Sequence, residues 1–195
     1  MRPLILGSSS PYRRELLERL HLDFTVDAPE IDETPRSGEI ASDYVRRLAH
    51  EKAEEVGARH PDALVISSDQ CAELNGQLLG KPGAHDAALA QLRQLSGQDA
   101  TFLTGLCLLD TGNSTCRYFE SRHTVYYKEL DEEEIEHYLE SEQPYNCTAS
   151  FKSEGLGISL VHHISGDDPT ALIGLPMIQL IELLRGVGLE IPGAD

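Results

Sequence analysis

The amino-acid sequence predicts an α/β fold built on a mixed, twisted sheet, and three observations carry that reading. Apolar strand-like runs alternate with segments of helical periodicity, the pattern of a sheet covered by helices. Asn75-Gly76 stands between two short strand-like runs, a signal for a tight antiparallel hairpin, so the sheet is not purely parallel. The 195 residues suit one domain over 1–195, built as two lobes around a central cleft, and no repeat or linker divides them.

Each element follows from local chemistry. Leu4 to Gly7 reads as a buried opening strand. Ser10 is a good helix N-cap and Pro11 a good first helical residue, and Leu16, Leu17 and Leu20 share a face, so a helix covers Pro11 to Leu20. A short strand at Phe24 to Val26 leads into the acidic loop Pro29-Glu30-Ile31-Asp32-Glu33-Thr34-Pro35. Ser42 is expected to cap a second helix whose apolar side is Val45, Leu48, Ala49, Ala53 and Val56. Ala63 to Ser68 reads as a buried strand ending at Asp69. A helix is expected over about Ala84 to Leu95, then strands near Phe102 to Leu109 and Tyr118 to Tyr127. Asp131-Glu132-Glu133-Glu134 opens another helix, where acidic side chains complement the positive end, and is read as solvated rather than metal-binding. Short strands are expected near Ser150 and at Ile158 to Val161, and a last helix from Pro176 to about Arg185.

Composition narrows the function classes. The formal net charge is −17, and such a surface repels nucleic acid, whose binding depends on phosphate neutralisation by Lys and Arg. A small anionic substrate remains open if the few cations gather in one place and a metal ion assists. Three of the four lysines, Lys52, Lys81 and Lys152, fall in chemistry-bearing segments; Lys128 does not. No apolar run approaches the roughly 20 residues of a membrane span, and Met1 to Gly7 is too short for a secretory signal. The expectation is a cytoplasmic protein without membrane association. Cys71, Cys107, Cys116 and Cys147 lack metal-ligand spacing and are expected as reduced thiols. His162-His163 diverge if they lie on a strand, which disfavours a zinc pair. The absence of a P-loop, a G-x-G-x-x-G turn and a nucleophile elbow disfavours a kinase, a dinucleotide oxidoreductase and a serine hydrolase.

Three sets of residues carry the chemistry. In Ser8-Ser9-Ser10-Pro11-Tyr12-Arg13-Arg14 a strand ends and a helix starts, whose free N–H groups favour an anion, with Arg13 and Arg14 as forks for phosphate oxygens. Plain helix capping by Ser10 with two surface arginines explains the same segment equally well. Glu30, Asp32 and Glu33 crowd one loop, and Asp69 ends a strand, where α/β sheets bind ligands. Such hard oxygens suit Mg²⁺ or Mn²⁺, and one of them suits the activation of water. A solvated loop accounts for at least one of Glu30 and Asp32. Lys81 in Gly80-Lys81-Pro82-Gly83 and Lys152 ahead of Gly155-Leu156-Gly157 sit in turns that present an ammonium to a ligand, whereas Lys52 is the weakest by itself, since Glu-Lys on a helix is normally surface decoration.

Taken in order, these segments resemble the Maf family of nucleotide pyrophosphatases. The resemblance rests on Ser8 to Arg14, Glu30-Ile31-Asp32-Glu33-Thr34-Pro35-Arg36, Glu51-Lys52-Ala53, Ser68-Asp69-Gln70, Gly80-Lys81-Pro82, Thr104-Gly105 and Phe151 to Ile158. Asp168-Pro169 and Gly174-Leu175-Pro176 extend it over nearly the whole chain. It implies a two-lobed fold of the Maf/ITPase-like kind, with hydrolysis of a nucleoside triphosphate to its monophosphate and pyrophosphate aided by a divalent cation. It further implies Asp69 as proton acceptor, Glu30 with Asp69 at the metal, and Lys52 and Lys81 acting in catalysis. Ser8, Ser10, Arg13, Arg14 and Lys152 would join in holding the substrate. It also admits a homodimer.

Three positions separate branches within the resemblance. The dTTP/UTP branch typically has Arg, Thr and Gln where this chain has Tyr12, Gln70 and Glu154, whereas the 7-methyl-GTP branch has Trp, Gln and Glu. Gln70 and Glu154 match the latter, and Tyr12 departs from both. A carboxylate such as Glu154 accepts from N1–H and N2–H₂ of guanine and repels uracil carbonyls. An aromatic face at Tyr12 attracts a positively charged N7-methylated base. A surface carboxylate beside Lys152 is the plain alternative for Glu154. The competing functions are a dTTP/UTP pyrophosphatase and a non-catalytic nucleotide-binding regulator.

Overall fold

Why the opening strand is apolar throughout becomes clear in the computed structural model, which describes residues 2–192. In chain order the elements are β1 (Leu4–Leu6), α1 (Pro11–Glu18), β2 (Thr25–Val26), α2 (Ala41–Gly57), β3 (Leu64–Leu74), β4 (Gln77–Leu79), α3 (His85–Leu95), β5 (Asp99–Asp110), β6 (Thr115–Tyr127), α4 (Glu132–Glu142), β7 (Val161–Ser165), α5 (Thr170–Ile173) and α6 (Met177–Arg185). The strands form a seven-stranded mixed sheet in the order β2-β1-β3-β5-β6-β7, with β4 on β3. The chain divides into two units: residues up to Asp69, Thr104–Ser121 and Asp168 onward in the first, Gln70–Leu103 and Arg122–Asp167 in the second. Strands β3, β5 and β6 therefore contribute residues to both.

In the first unit β1 pairs in parallel with β2 and β3, in the register Leu4↔Leu64 and Leu6↔Ile66. Period-two alternation assigns the strand side chains to two layers. Leu4, Leu6, Leu64 and Ile66 join Leu16 and Leu17 of α1 and Leu180 and Leu184 of α6 in one core cluster. Ile5 and Val65 instead meet Val56 of α2. Each fully buried leucine contributes about 1.5–3 kcal/mol through removal from water, so a charged residue at Leu6 would dismantle the layer that positions α1.

Ser10 caps α1 as expected, accepting from the Arg13 N–H at 3.4 Å, with Pro11 in the first turn. The expected cap at Ser42 is not formed. Helix α2 starts two residues earlier, behind Ile40, and Ser42 Oγ donates to Glu120 Oε2 at 2.5 Å, a partner 78 residues away that outcompetes the local role. Strand β3 does not end at Asp69 but continues to Leu74. The cysteine expectation also needs correction. Cys107 and Cys116 are paired as a disulfide within the first unit, their Cα atoms 6.6 Å apart, because β5 and β6 set them side by side across a turn. Cys71 and Cys147 are free and buried.

In the second unit Asn75 and Gly76 turn with positive φ (53° and 81°) between β3 and antiparallel β4, as their twist-matched hairpin role requires. Asp131 caps α4 through the Glu134 N–H at 2.8 Å. Helix α3 packs against α4, and the Phe151 ring sits 5.7 Å from both Phe102 and Tyr127. Where strands were expected near Ser150 and Ile158, the backbone instead makes 3-10 turns at Thr148–Ser150 and Leu156–Leu160, with β7 starting at Val161. Ala149 and Ser150 both have left-handed backbones, φ 52° and 57°, at a cost of roughly 1–2 kcal/mol per residue. Fixed partners offset it. The Ala149 N–H donates to the Gly80 carbonyl at 3.0 Å, Ser150 Oγ to Gln91 at 2.7 Å, and Tyr138 Oη to the Ser150 carbonyl at 2.8 Å.

Candidate active site

Three segments far apart in sequence meet around Arg13 in the first unit. Ser8 is buried, and its Oγ accepts from the Ser10 N–H and from Arg13 Nη1, both at 3.2 Å. Arg13 Nε donates to the Gly174 carbonyl at 2.8 Å, and the same carbonyl accepts from Ser68 Oγ at 2.9 Å. Burial pulls the guanidinium below its ordinary pKa, while the negative potential of Asp69 and Glu33 acts in the opposite sense. An arginine starts so far above neutrality that it stays cationic. The Gly174 loop is itself clamped. Asp168 accepts from the N–H and hydroxyl of Thr170 with one oxygen and from the Ile178 N–H with the other.

Beside this cluster stands a buried ion pair. Lys52, from α2, and Asp69, from β3, are each only 5% exposed. Lys52 Nζ lies 2.6 Å from Asp69 Oδ1 and 2.8 Å from Glu33 Oε1. Taken alone, its helical position reads as surface decoration; the structure buries it against two carboxylates instead. Asp69 Oδ2 is buried without a hydrogen-bond partner among the described residues, an arrangement that costs free energy unless water, a substrate or a cation completes it. Burial raises the Asp69 pKa above the usual carboxylate value, with Lys52 and Arg13 pulling the other way. A carboxylate that is ionisable, desolvated and open at one oxygen has the makings of a general base or a hard-cation ligand.

The remaining predicted residues fall into distinct settings. Tyr12 is half-buried in the first turn of α1. Arg14 points elsewhere, donating to Glu18 at 2.9 Å along the exposed side of α1. Glu30 is exposed, and its backbone N–H donates to Glu55. None of the described contacts joins it to Asp69; the acidic-loop residue that reaches the pair is Glu33, through Lys52. Asp32 turns back on its own loop, accepting from the Thr34 N–H at 2.9 Å, and the Thr34 hydroxyl, then its N–H, hold the carboxyl pKa down.

Four predicted residues belong to the second unit. The Gln70 carbonyl accepts from Thr148 Oγ1. Lys81 is exposed on a turn fixed on both sides, since the Gly80 carbonyl accepts from Ala149 and the Gly83 N–H donates to Tyr145. Lys152 is half-buried and paired with Glu142 at 2.6 Å, a contact that lowers the Glu142 pKa. Glu154 is exposed and accepts from Ser153 Oγ at 3.4 Å. Gly157 allows the tight turn behind them: a Cβ there would stand 2.5 Å from the Lys152 carbonyl oxygen.

Sequence reasoning did not single out three contributors. Glu33 was one of several acids in a loop, Gly174 acts through a carbonyl that any residue carries, and Glu142 lies on a different element from Lys152. Only the last had a usable signal, an acidic residue at the end of a helix preceding the Lys152 turn.

Comparison with known proteins bears on this geometry. A Maf-like protein family model matches residues 3–187. A protein from Nitrosococcus oceani, named 7-methyl-GTP pyrophosphatase, is 54% identical over 185 residues, covering 95% of this chain and 93% of its own. One of the same name from Pseudomonas aeruginosa is 50% identical over 192 residues, covering 98% and 100%, and one from Cupriavidus pinatubonensis is 52% identical over 187 residues, covering 95% and 93%. Among solved structures, a HAM1 protein from Coxiella burnetii has the same fold at a TM-score of 0.54 and 15% identity, covering 95% of this chain and 100% of that one. No helix among the described residues is long and apolar enough to cross a membrane.

Proposed function

The chain belongs to the Maf-like protein family and is a nucleotide pyrophosphatase, and we propose that it cleaves 7-methyl-GTP to 7-methyl-GMP and pyrophosphate. The observation that carries the chemistry is the buried Asp69, held by Lys52 at one oxygen and open at the other. Asp69 accepts the proton of a water that attacks the α-phosphorus, the α–β anhydride bond breaks to release pyrophosphate, and Lys52 offsets the developing charge; Lys81, in the second unit, is assigned to catalysis by the family resemblance. Ser8, Ser10, Arg13 and Arg14 hold phosphate oxygens; the first helix turn and the buried guanidinium of Arg13 support that role, because neither needs reorganisation when charge develops.

A divalent cation, Mg²⁺ or Mn²⁺, fits the donor set. Asp69 Oδ2 is unsatisfied and Glu33 brings a second carboxylate to the same ammonium. Asp69 would hold it, with Glu30 assigned as its companion by the family resemblance alone; the loop carboxylate that reaches the pair is Glu33. When bound, the cation supplies charge neutralisation for the triphosphate. The base assignment rests on Gln70 and Glu154, on Tyr12 as an aromatic face for a cationic purine, and on the printed names of relatives at 50–54% identity. Lys152, paired with Glu142, completes the substrate-binding set.

A nucleotide panel with Mg²⁺ or Mn²⁺ and product identification tests the reading. The expected outcome is preference for 7-methyl-GTP with release of pyrophosphate. Preference for dTTP or UTP would overturn the base assignment, and release of orthophosphate alone would overturn the reaction. Tight nucleotide binding with no turnover would make the protein a regulator instead.

A further inference from the structure

We propose that Cys107, Cys116 and His50 form, in their reduced state, a binding site for a thiophilic closed-shell cation of the Zn²⁺ kind, separate from the Asp69 cluster. Three donor atoms from three elements converge: Sγ of Cys107 on β5, Sγ of Cys116 on β6 and a ring nitrogen of His50 on α2 all lie within 4.8 Å of one another. Tetrahedral zinc with its usual bond lengths needs donors about 3.5–3.8 Å apart, so the site requires side-chain adjustment only. His50 Nδ1 already lies 3.3 Å from Cys116 Sγ.

The surroundings fix the imidazole and seal one side. The His50 ring stacks on Tyr118 at 5.4 Å, and Arg46 lies 4.9 Å from the same Tyr118 ring. Cys107 is fully buried against Ala49 and Ala53, whereas Cys116 is exposed. One donor is thus anchored in apolar packing and another faces solvent, which gives a cation a route in. Two thiolates and an imidazole select Zn²⁺ over Mg²⁺ or Mn²⁺, which prefer oxygen. Three protein donors leave a fourth position for water or an external ligand.

The disulfide seen between the two cysteines is the closed form of this site. A dithiol reductant opens it, delivering two electrons and two protons to the disulfide and becoming oxidised to its own disulfide. Zn²⁺ then displaces the two thiol protons and binds both sulfurs and the imidazole. Oxidation and metal occupancy are therefore mutually exclusive.

Cobalt(II) titration of the full chain, reduced with dithiothreitol and desalted anaerobically, reads the site directly. Thiolate-to-cobalt charge transfer is expected at one equivalent, bleached by Zn²⁺ and untouched by excess Mg²⁺. The oxidised protein should show no such band, and neither should Cys116→Ser, an exposed position where folding is preserved. His50→Gln should weaken cobalt binding by more than the ~10–100-fold that loss of a mere supporting partner costs, and Cys71→Ala should change nothing. Absence of the band in reduced protein, its persistence in Cys116→Ser, or a loss of about 100-fold or less in His50→Gln would each overturn the assignment.

Discussion

Replacing Lys52 by Met tests how the buried pair is balanced. The ammonium and the carboxylate are each 5% exposed and 2.6 Å apart, so the substitution keeps most of the aliphatic stem and removes a charge that Asp69 needs. Leaving one member of a buried pair uncompensated typically costs about 3–5 kcal/mol, a large share of a domain's roughly 5–15 kcal/mol. Asp69 has an escape, however, because it can take up a proton. Burial already places its folded pKa above the ordinary carboxylate value, and the Lys52 ammonium pulls most strongly in the other direction. Its removal extends the pH range in which the folded state holds the extra proton. The sign follows: a raised folded pKa gives stability that is full below the unfolded value of ~3.9 and is lost as pH rises through the folded value. The difference between Lys52→Met and the parent should therefore widen with pH, by up to about 1.4 kcal/mol per unit, until Asp69 ionises in the variant. Urea unfolding in chelator-containing buffers from about pH 5 to about pH 8 measures it. Lys52→Met/Asp69→Asn, which buries neither charge, should recover part of the loss. A pH-independent loss, or a double variant no more stable than Lys52→Met, would refute the account.

Asp69→Asn alone should lower kcat about 10²–10⁴-fold with the fold retained, and a rate near the parent's would remove Asp69 from the mechanism. Gly157→Ala forces a Cβ against Lys152 backbone atoms at 2.5–3.1 Å, so it should cost about 1–3 kcal/mol and raise KM for 7-methyl-GTP; an unchanged melting temperature would disprove the close approach. Glu39 accepts from Arg47 at 2.6 and 2.8 Å and is held down to about 2. Glu39→Gln should cost about 1.5–3 kcal/mol at neutral pH. The penalty should fade as pH drops from the unfolded carboxylate value towards 2, where the parent loses the same interaction; a penalty constant with pH would exclude the pair as its source.

Much of the fold was legible because its signals are local. Pro11 behind Ser10, Asp131 ahead of three glutamates, and Asn75-Gly76 each state their geometry within a few residues, and all three behave accordingly. What was missed depends on distant partners. Ser67-Ser68-Asp69 looked like the end of a strand because three polar residues interrupt an apolar run. They continue β3 because Ala49, Gly174 and Lys52 satisfy them from elsewhere. Ala149 and Ser150 carry no glycine to announce a left-handed backbone, and packing alone imposes it. The same holds at the site. The Ser8-to-Arg14 turn was readable as a capped helix start, but the choice of Arg13 over Arg14 for the inside was not. That choice is made by Ser8 and the Gly174 carbonyl for the one and Glu18 for the other.

The single oxygen of Gly174, accepting from both Arg13 and Ser68, also orders events in time. Arg13 leaves the ribosome early and must wait for a residue 161 positions later before its guanidinium is oriented. At common elongation rates of ~5–20 residues per second that interval is on the order of ten seconds or more. A nascent or prematurely terminated chain therefore carries the serine turn and Asp69 without the acceptor that sets Arg13. A chain truncated before Gly174 lacks the acceptor that completes the arginine's setting.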